Sequence, residues 1–348
     1  MKSEMIRLLR ESSEYLSGQE LCDRFQVSRT AVWKVINQLK EEGYVIEAKQ
    51  NRGYRLLESP DTMEAYELMS RMGTEWAGRK VFYKKETGST NIDCKQLAVQ
   101  GEPHGTLAVA ERQVSGRGRR GRGWESPAGE SIYMSLLCRP DFSPKKAPML
   151  TLVMGIAVAE AVERYTGLAA KIKWPNDIVV NGRKICGILT EMEMGLETKE
   201  IQYLVIGVGI NVNNGFTGMQ ETGDWKQARR AAFPEELQGK ATSLFLEMEK
   251  RETKILRAPL VQYVMEAFEK NYGLFLRSLD LSLLRESYNG YLVNRNAVVK
   301  VLDPQGEYTG IAREIDDAGD LLVETEDGTL KKVYSGEVSV RGIYGYAL

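Results

Sequence analysis

Apolar positions in the first forty residues recur at helical spacing. Met5, Leu8 and Leu9 fall on one face of a first helix, and residues 19–25 read as a short second one. Ser28 is a good N-cap for a third, in which Val32, Val35, Ile36 and Leu39 make an apolar stripe that Gly43 ends. Two strand-like runs, 44–48 and 53–57, then flank Lys49-Gln50-Asn51-Arg52. Ser59-Pro60-Asp61-Thr62 reads as a linker and helix start. A long segment of mixed helical and strand periodicity follows to about residue 290. Beyond it come short strands between turns at Asp303-Pro304-Gln305-Gly306, Asp317-Ala318-Gly319-Asp320 and Glu326-Asp327-Gly328. The expected division is 1–60, 61–290 and 291–348.

The pattern of residues 1–60 is that of a winged helix-turn-helix, with a protein-docking helical domain as the alternative. A helix of this kind fits the DNA major groove, where its first turn meets base edges. Ser28, Arg29, Thr30 and Lys34 stand there as candidate DNA contacts, with Asn51-Arg52 as a wing tip. Residues 1–58 carry ten Lys/Arg against nine Asp/Glu, a net of +1, so one copy has little field to hold DNA alone. A dimer reading two half-sites is therefore expected.

Composition narrows the chemistry. The 348 residues carry a formal charge of -1, so any nucleic-acid contact is local. A single histidine, His104, excludes multi-histidine metal sites. Cys22, Cys94, Cys138 and Cys186 are scattered, which suits a reducing cytosol and excludes zinc-ribbon and thioredoxin motifs. The opening MKSEMIRLLRESSE carries charge where a signal peptide needs an apolar run, and no 18-residue apolar stretch suggests a membrane span. A cytoplasmic location is expected.

The densest signal is Gly116-Arg117-Gly118-Arg119-Arg120-Gly121-Arg122-Gly123-Trp124, with four arginines and four glycines in nine residues. Glycines let backbone amides approach an anion and arginines neutralise it, so the segment, which occurs once between strand-like 106–110 and 132–136, reads as an anion-binding loop, with a flexible basic loop or an RNA-binding tract as the alternatives. Lys173-Trp174-Pro175-Asn176-Asp177 then projects polar groups at a strand end. Asp177 there suits Mg²⁺ or a ribose hydroxyl, although Asn-Asp is also ordinary turn chemistry. Lys184, leading into Ile185-Cys186-Gly187, suits a phosphate or carboxylate; otherwise it is a solvated strand end. Glycines 207 and 209 alternate with β-branched residues and leave room for a ligand or another backbone. Residue 212 is Val and no helix pattern follows it, so a dinucleotide-binding turn is rejected.

Together with Gly88-Ser89-Thr90-Asn91, Gln113, Asn211-Val212-Asn213 and the terminal Ser335-Gly336-Glu337-Val338-Ser339-Val340-Arg341, these motifs resemble the biotin protein ligases, in the bifunctional bacterial form that also represses biotin synthesis genes. The resemblance covers nearly the whole chain. It implies an α/β fold with a winged helix-turn-helix, a class II synthetase-like catalytic domain on a mixed sheet, and a small SH3-like C-terminal barrel. The implied activity is formation of biotinyl-5′-AMP from biotin and Mg-ATP, then transfer of biotin to a lysine of a biotin carboxyl carrier protein. Biotinyl-AMP would serve as corepressor for a homodimer on operator DNA. By resemblance, Ser89, Thr90, Asn91 and Gln113 bind the ureido ring. Arg117, Gly118, Arg119, Arg122, Trp124, Lys184, Gly187 and Asn211 complete the ligand site. Arg119, Lys184 and Asp177 are the catalytic candidates, and no base for the acceptor lysine stands out. A lipoate-type ligase and a ligand-sensing repressor without catalysis are the alternatives. The polar stretch 214–232, with Trp225, departs from the family pattern and is expected to be a lid or a disordered loop.

Overall fold

The computed structural model describes residues 1–195, 197–248, 251–302, 306–334 and, as backbone, 339–342. Three helices, α1 (Lys2–Glu11), α2 (Gly18–Phe25) and α3 (Arg29–Glu41), precede a hairpin of β1 (Val45–Lys49) and β2 (Gly53–Glu58). The Ser17 and Ser28 side chains accept from Glu20 N and Ala31 N, capping α2 and α3 as short polar residues do. Met5, Ile6, Leu9, Leu21, Val32, Ile36 and Leu39 form a core of their own under this hairpin. The linker is shorter in helix than its sequence suggests. Thr62 Oγ1 accepts from Glu64 N, and α4 (Ala65–Arg71) starts only at Ala65.

The central unit is a seven-stranded mixed sheet. Its strands are β3 (Val81–Thr87), β4 (Leu107–Gln113), β5 (Ser131–Cys138), β6 (Ala170–Lys173), β7 (Asp177–Val180), β8 (Arg183–Met194) and β9 (Ile201–Asn211). The spatial order is β3-β4-β5-β9-β8-β7-β6, with only β3 and β4 parallel. Both faces are covered, so β5 is buried along its whole length. On one face lies α5 (Thr90–Val99), whose Cys94, Leu97 and Ala98 meet Ala108, Leu137 and Val205. On the other lies α6 (Met149–Thr166), apolar nearly all round and buried accordingly.

The stretch 214–232 is not structureless. It forms two short helices, α7 (Phe216–Thr222) and α8 (Trp225–Ala231). The Trp225 ring stacks on Phe245 of the one-turn α9 (Leu244–Glu247), with centroids 5.2 Å apart, and Phe216 meets the same ring edge-on at 5.3 Å. Aromatic burial thus outweighs the polar character of the stretch.

Helix α10 (Arg257–Ser278) packs along α6, and α11 (Arg285–Tyr291) leads to the last sheet. That sheet comprises β10 (Val298–Leu302), β11 (Tyr308–Ile315), β12 (Leu321–Glu324), β13 (Leu330–Val333) and β14 (Ser339–Gly342), in order β13-β12-β11-β10-β14 and antiparallel throughout. It is the small SH3-like unit. Its buried residues Val299, Val301, Ala312, Ile315 and Leu321 join the same contiguous core as the central sheet. Most of the turn 303–306 and the segment 335–338 lie outside the described residues. No described helix is long and apolar enough to cross a membrane.

Candidate functional site

One cleft gathers most of the singled-out residues. Ser89, Thr90, Asn91, Gln113, Arg117, Gly118, Arg119, Trp124, Lys184 and Gly187 line it, with Asn176, Ile188, Leu189, Gly207, Val208 and Gly209. The chain reaches it from four directions: the start of α5, the loop after β4, the β6–β7 turn, and the middle of β8 and β9.

The glycine–arginine loop is folded upon itself. Gly118 N donates to Arg122 O at 2.7 Å and Trp124 N to Gly116 O at 2.9 Å. Arg120 takes a left-handed conformation with φ 58° at the tip. This arrangement turns Arg119 inward and leaves Arg122 exposed. Arg119 Nη1 donates to Asn176 Oδ1 at 2.9 Å. Burial pushes the Arg119 guanidinium below its ordinary pKa, and Asp177 pulls against that shift.

Lys184 enters β8 after the two-residue turn Asn181-Gly182, both at positive φ as a type I′ hairpin requires. Its Nζ lies 2.6 Å from Asp177 Oδ1 and 5.2 Å from the centre of the Trp124 ring. Asn176 Nδ2 donates to Asp177 Oδ1 at 3.2 Å. Its backbone is fastened on the outer side, Lys184 N to Lys240 O at 2.8 Å.

The room that glycines 187, 207 and 209 leave is taken by side chains, not by another backbone. A Cβ at Gly209 would stand 2.7 Å from Trp124 Cε2, one at Gly187 2.9 Å from Trp124 Cζ3, and one at Gly207 would run into Asn91 Oδ1. The Trp124 indole N–H is buried with no hydrogen-bond partner among the described residues, an unfilled donor at the floor of the cleft.

The neutral end is a hydrogen-bond chain. Gln113 Oε1 accepts from Thr90 N at 2.9 Å and lies 3.2 Å from Thr90 Oγ1, while Gln113 Nε2 donates to Ser126 Oγ at 2.9 Å. Ser135 Oγ stands 2.8 Å from Thr90 Oγ1 and 2.6 Å from Asn91 Oδ1. Asn91 Nδ2 donates to Glu191 Oε2 at 2.7 Å, and Lys95 Nζ binds Glu191 Oε1 at 2.6 Å. Burial alone would raise the Glu191 pKa; the bonds from Lys95 and Asn91 outweigh it and hold the carboxyl below its ordinary value. No local signal in the sequence marks Ser135, Ser126 or Glu191 for this hydrogen-bond chain. Asn211 lies outside the cleft lining and donates to Thr242 O at 3.1 Å.

In the winged domain Ser28, Arg29, Thr30 and Lys34 are all exposed along the start of α3. Ser28 is also that helix's cap, and Arg29 Nη2 donates to Gln19 Oε1 at 2.9 Å. Trp33 beside them is 57% exposed. The wing's Arg52 lies over the Tyr15 ring at 5.1 Å.

Comparison with known proteins agrees with this layout. The model of the biotin/lipoate A/B protein ligase family matches residues 82–211, an HTH-domain model matches 2–55, and the biotin protein ligase C-terminal domain matches 298–341. The bifunctional ligase/repressor BirA of Bacillus spizizenii is 39% identical over 98% of both chains, and that of Escherichia coli is 30% identical over 95% of this chain and 94% of its own. A solved biotin protein ligase from Aquifex aeolicus, in complex with biotin and ATP, aligns with a TM-score of 0.60 at 30% identity, covering 76% of this chain and 99% of that one. The chain belongs to the biotin protein ligase family, among its bifunctional ligase/repressor members.

Proposed function

We propose that this biotin protein ligase carries out both half-reactions in the cleft described above, and that its DNA-binding domain responds to the first. The observation that carries the reading is the juxtaposition of a neutral hydrogen-bonding chain, at Thr90 and Gln113, with a cationic end at Arg117, Arg119 and Lys184 in one opening. Biotin offers the matching pair: a neutral ureido ring and a carboxylate.

In the first half-reaction the biotin carboxylate oxygen attacks the α-phosphorus of ATP and pyrophosphate leaves, giving biotinyl-5′-AMP. Two anions must meet, so catalysis is mostly positioning and charge compensation. Arg117, Arg119 and Lys184 supply that compensation, with Gly118 allowing close approach in the loop and Gly187 leaving the room in which Trp124 and Lys184 stand. Asp177 orients Lys184 through their ion pair. Ser89, Thr90 and Gln113 hold the ureido ring, Asn91 anchors them, and Trp124 packs on the ligand; Arg122 and Asn211 support the loop and strand end. In the second half-reaction the acceptor lysine of a carrier protein attacks the acyl carbon and AMP leaves.

Asp177 is also the residue that would hold Mg²⁺. Among the described residues no group of three or more His, Cys, Asp or Glu side chains is placed to hold a metal ion. A lone carboxylate suits an ion that arrives with phosphate oxygens and water around it, rather than a protein cage. Such an ion supplies further charge neutralisation at the phosphates.

The partners are a biotin carboxyl carrier protein, operator DNA met by Ser28, Arg29, Thr30 and Lys34, and a second copy of the chain, with biotinyl-AMP as corepressor in the cytoplasm. The division at 60/61 and 290/291 assigns DNA reading to the first part and both chemical steps to the second. The test is biotin-dependent ATP–pyrophosphate exchange, run beside lipoate, followed by transfer to a carrier domain and an operator footprint with and without biotin. Exchange with lipoate and none with biotin would overturn the substrate, and an unchanged footprint would overturn the corepressor role.

A further inference from the structure

The hydrogen-bond chain beneath the cleft has a direction, and one residue outside the recognised motifs sets it. Glu191 is held as a carboxylate, an acceptor with no proton to give. Asn91 must therefore turn its NH₂ to Glu191, where Leu189 O also accepts at 3.4 Å. Its Oδ1 then faces Ser135 at 2.6 Å, and only Ser135 has a proton for that contact. Ser135 has thus spent its single proton, so at 2.8 Å from Thr90 it can only accept.

The far side agrees. Ser126 Oγ donates to Trp124 O at 3.0 Å, so it accepts from Gln113 Nε2, which turns Gln113 Oε1 to Thr90. Every protein group around the Thr90 hydroxyl is then an acceptor. Its proton goes to Ser135 or to Gln113, and its lone pairs are left to the cleft.

We infer that Glu191 is a specificity-determining positioning residue: acting through Asn91 and Ser135, it presents the Thr90 hydroxyl to the ligand as an acceptor, so that the site demands an N–H donor at that point. This rests on the reading of the cleft as the biotin site. Glu191 need not touch the ligand. Lys95, paired with it at 2.6 Å, keeps the carboxylate charged.

Glu191→Gln removes the constraint at nearly constant shape. A glutamine amide can donate to Asn91 Oδ1; Asn91 then donates to Ser135, Ser135 to Thr90, and Thr90 is freed to donate to the ligand. The experiment is calorimetric binding of biotin and of two cyclic carbamate analogues, each with one ureido N–H replaced by ring oxygen. The unaltered protein should prefer biotin over one carbamate at least a hundredfold. E191Q should lose about tenfold in biotin affinity and shrink that preference by tenfold or more. Glu191→Asp keeps an acceptor and should retain the preference even where overall affinity falls. An unchanged preference in E191Q, or an equal loss in E191D, would overturn the assignment. Should E191Q melt early, Ser135→Ala cuts the same chain and should lower the same ratio; an unchanged ratio there counts equally against it. Failure of the unaltered protein to bind biotin would instead remove the substrate reading on which this stands.

Discussion

Arg10 of the first helix lies with its Nη2 2.9 Å from both carboxylate oxygens of Glu67, a fully buried residue of α4. Arg71 Nε at 2.6 Å and Tyr44 Oη at 2.7 Å reach the same carboxylate, Arg10 Nη1 donates to Ser70 Oγ at 2.7 Å and Tyr66 Oη to Glu42 Oε2 at 2.8 Å, so Glu67 is the buried centre of the contacts that fasten the winged domain to α4. Burial lowers the Arg10 pKa, with Glu67 opposing it. Glu67→Ala leaves two guanidinium groups facing each other and should cost about 3–5 kcal/mol. Faster limited proteolysis between residues 58 and 65, with biotin transfer retained, is the expected outcome; unchanged cleavage would refute the fastening.

Lys184→Ala should slow biotinyl-AMP formation by roughly a hundredfold or more, in the range of a lost transition-state donor. Single-turnover adenylation checks it. A normal rate would make Lys184 a solvated strand end.

Gly207→Ala places a methyl where Asn91 Oδ1 stands. In a rigid central strand Asn91 must move, and Ser135 loses its acceptor. Biotin affinity should fall at least tenfold at little cost to ATP binding, as paired titrations would show.

Arg29→Ala removes an exposed cation from the first turn of α3. Operator affinity should fall by about 1–3 kcal/mol per half-site while biotin transfer is unaffected. Equal loss of both activities would indicate misfolding.

His104 sets an acid limit on stability. Its ring lies against Trp76 at 4.1 Å, and its Nδ1 accepts from Arg139 N at 2.9 Å. Burial, then Arg139, lowers its pKa, so the folded state favours the neutral ring. The unfolded ring titrates near about 6.5. The stabilisation is therefore complete above that pH and drains away as pH falls below it. His104→Gln should flatten the dependence of melting temperature on pH below about 6.5; an unaltered slope would assign it to other groups.

The sequence made most of this legible where chemistry sits at the ends of elements. Ser28 marks the start of α3 because a cap is a local device, and the Arg117–Arg122 loop stands out because glycine and arginine have no place in a core strand. Ser135 gives no such sign: within the apolar strand Ser131–Cys138 a serine reads as filler until Thr90 and Asn91 arrive from 45 and 44 residues away. Glu191 looks like a solvated strand residue until Asn91 is placed beside it. Arg257 opens α10 and reads as a surface cation, yet it is buried by Asp61 and Glu111, 196 and 146 residues distant in sequence. Trp225 stands out as an aromatic in a polar stretch, but its partner Phe245 lies beyond that stretch. Long-range pairing decides each of these, and local periodicity carries no record of it.

The Trp174 indole donates to Gly319 O at 3.1 Å, tying the strand end that carries Asp177 to the last sheet. The two ends of the chain therefore differ in modularity. The winged domain, with a core of its own, is a detachable part that can be exchanged or deleted at a known joint. The C-terminal sheet is a buttress: trimming it strips apolar cover from the ligase and orphans a buried N–H three residues from Asp177. Calorimetry should accordingly resolve two melting units rather than three, and a minimal ligase is to be sought by shortening the chain from its beginning.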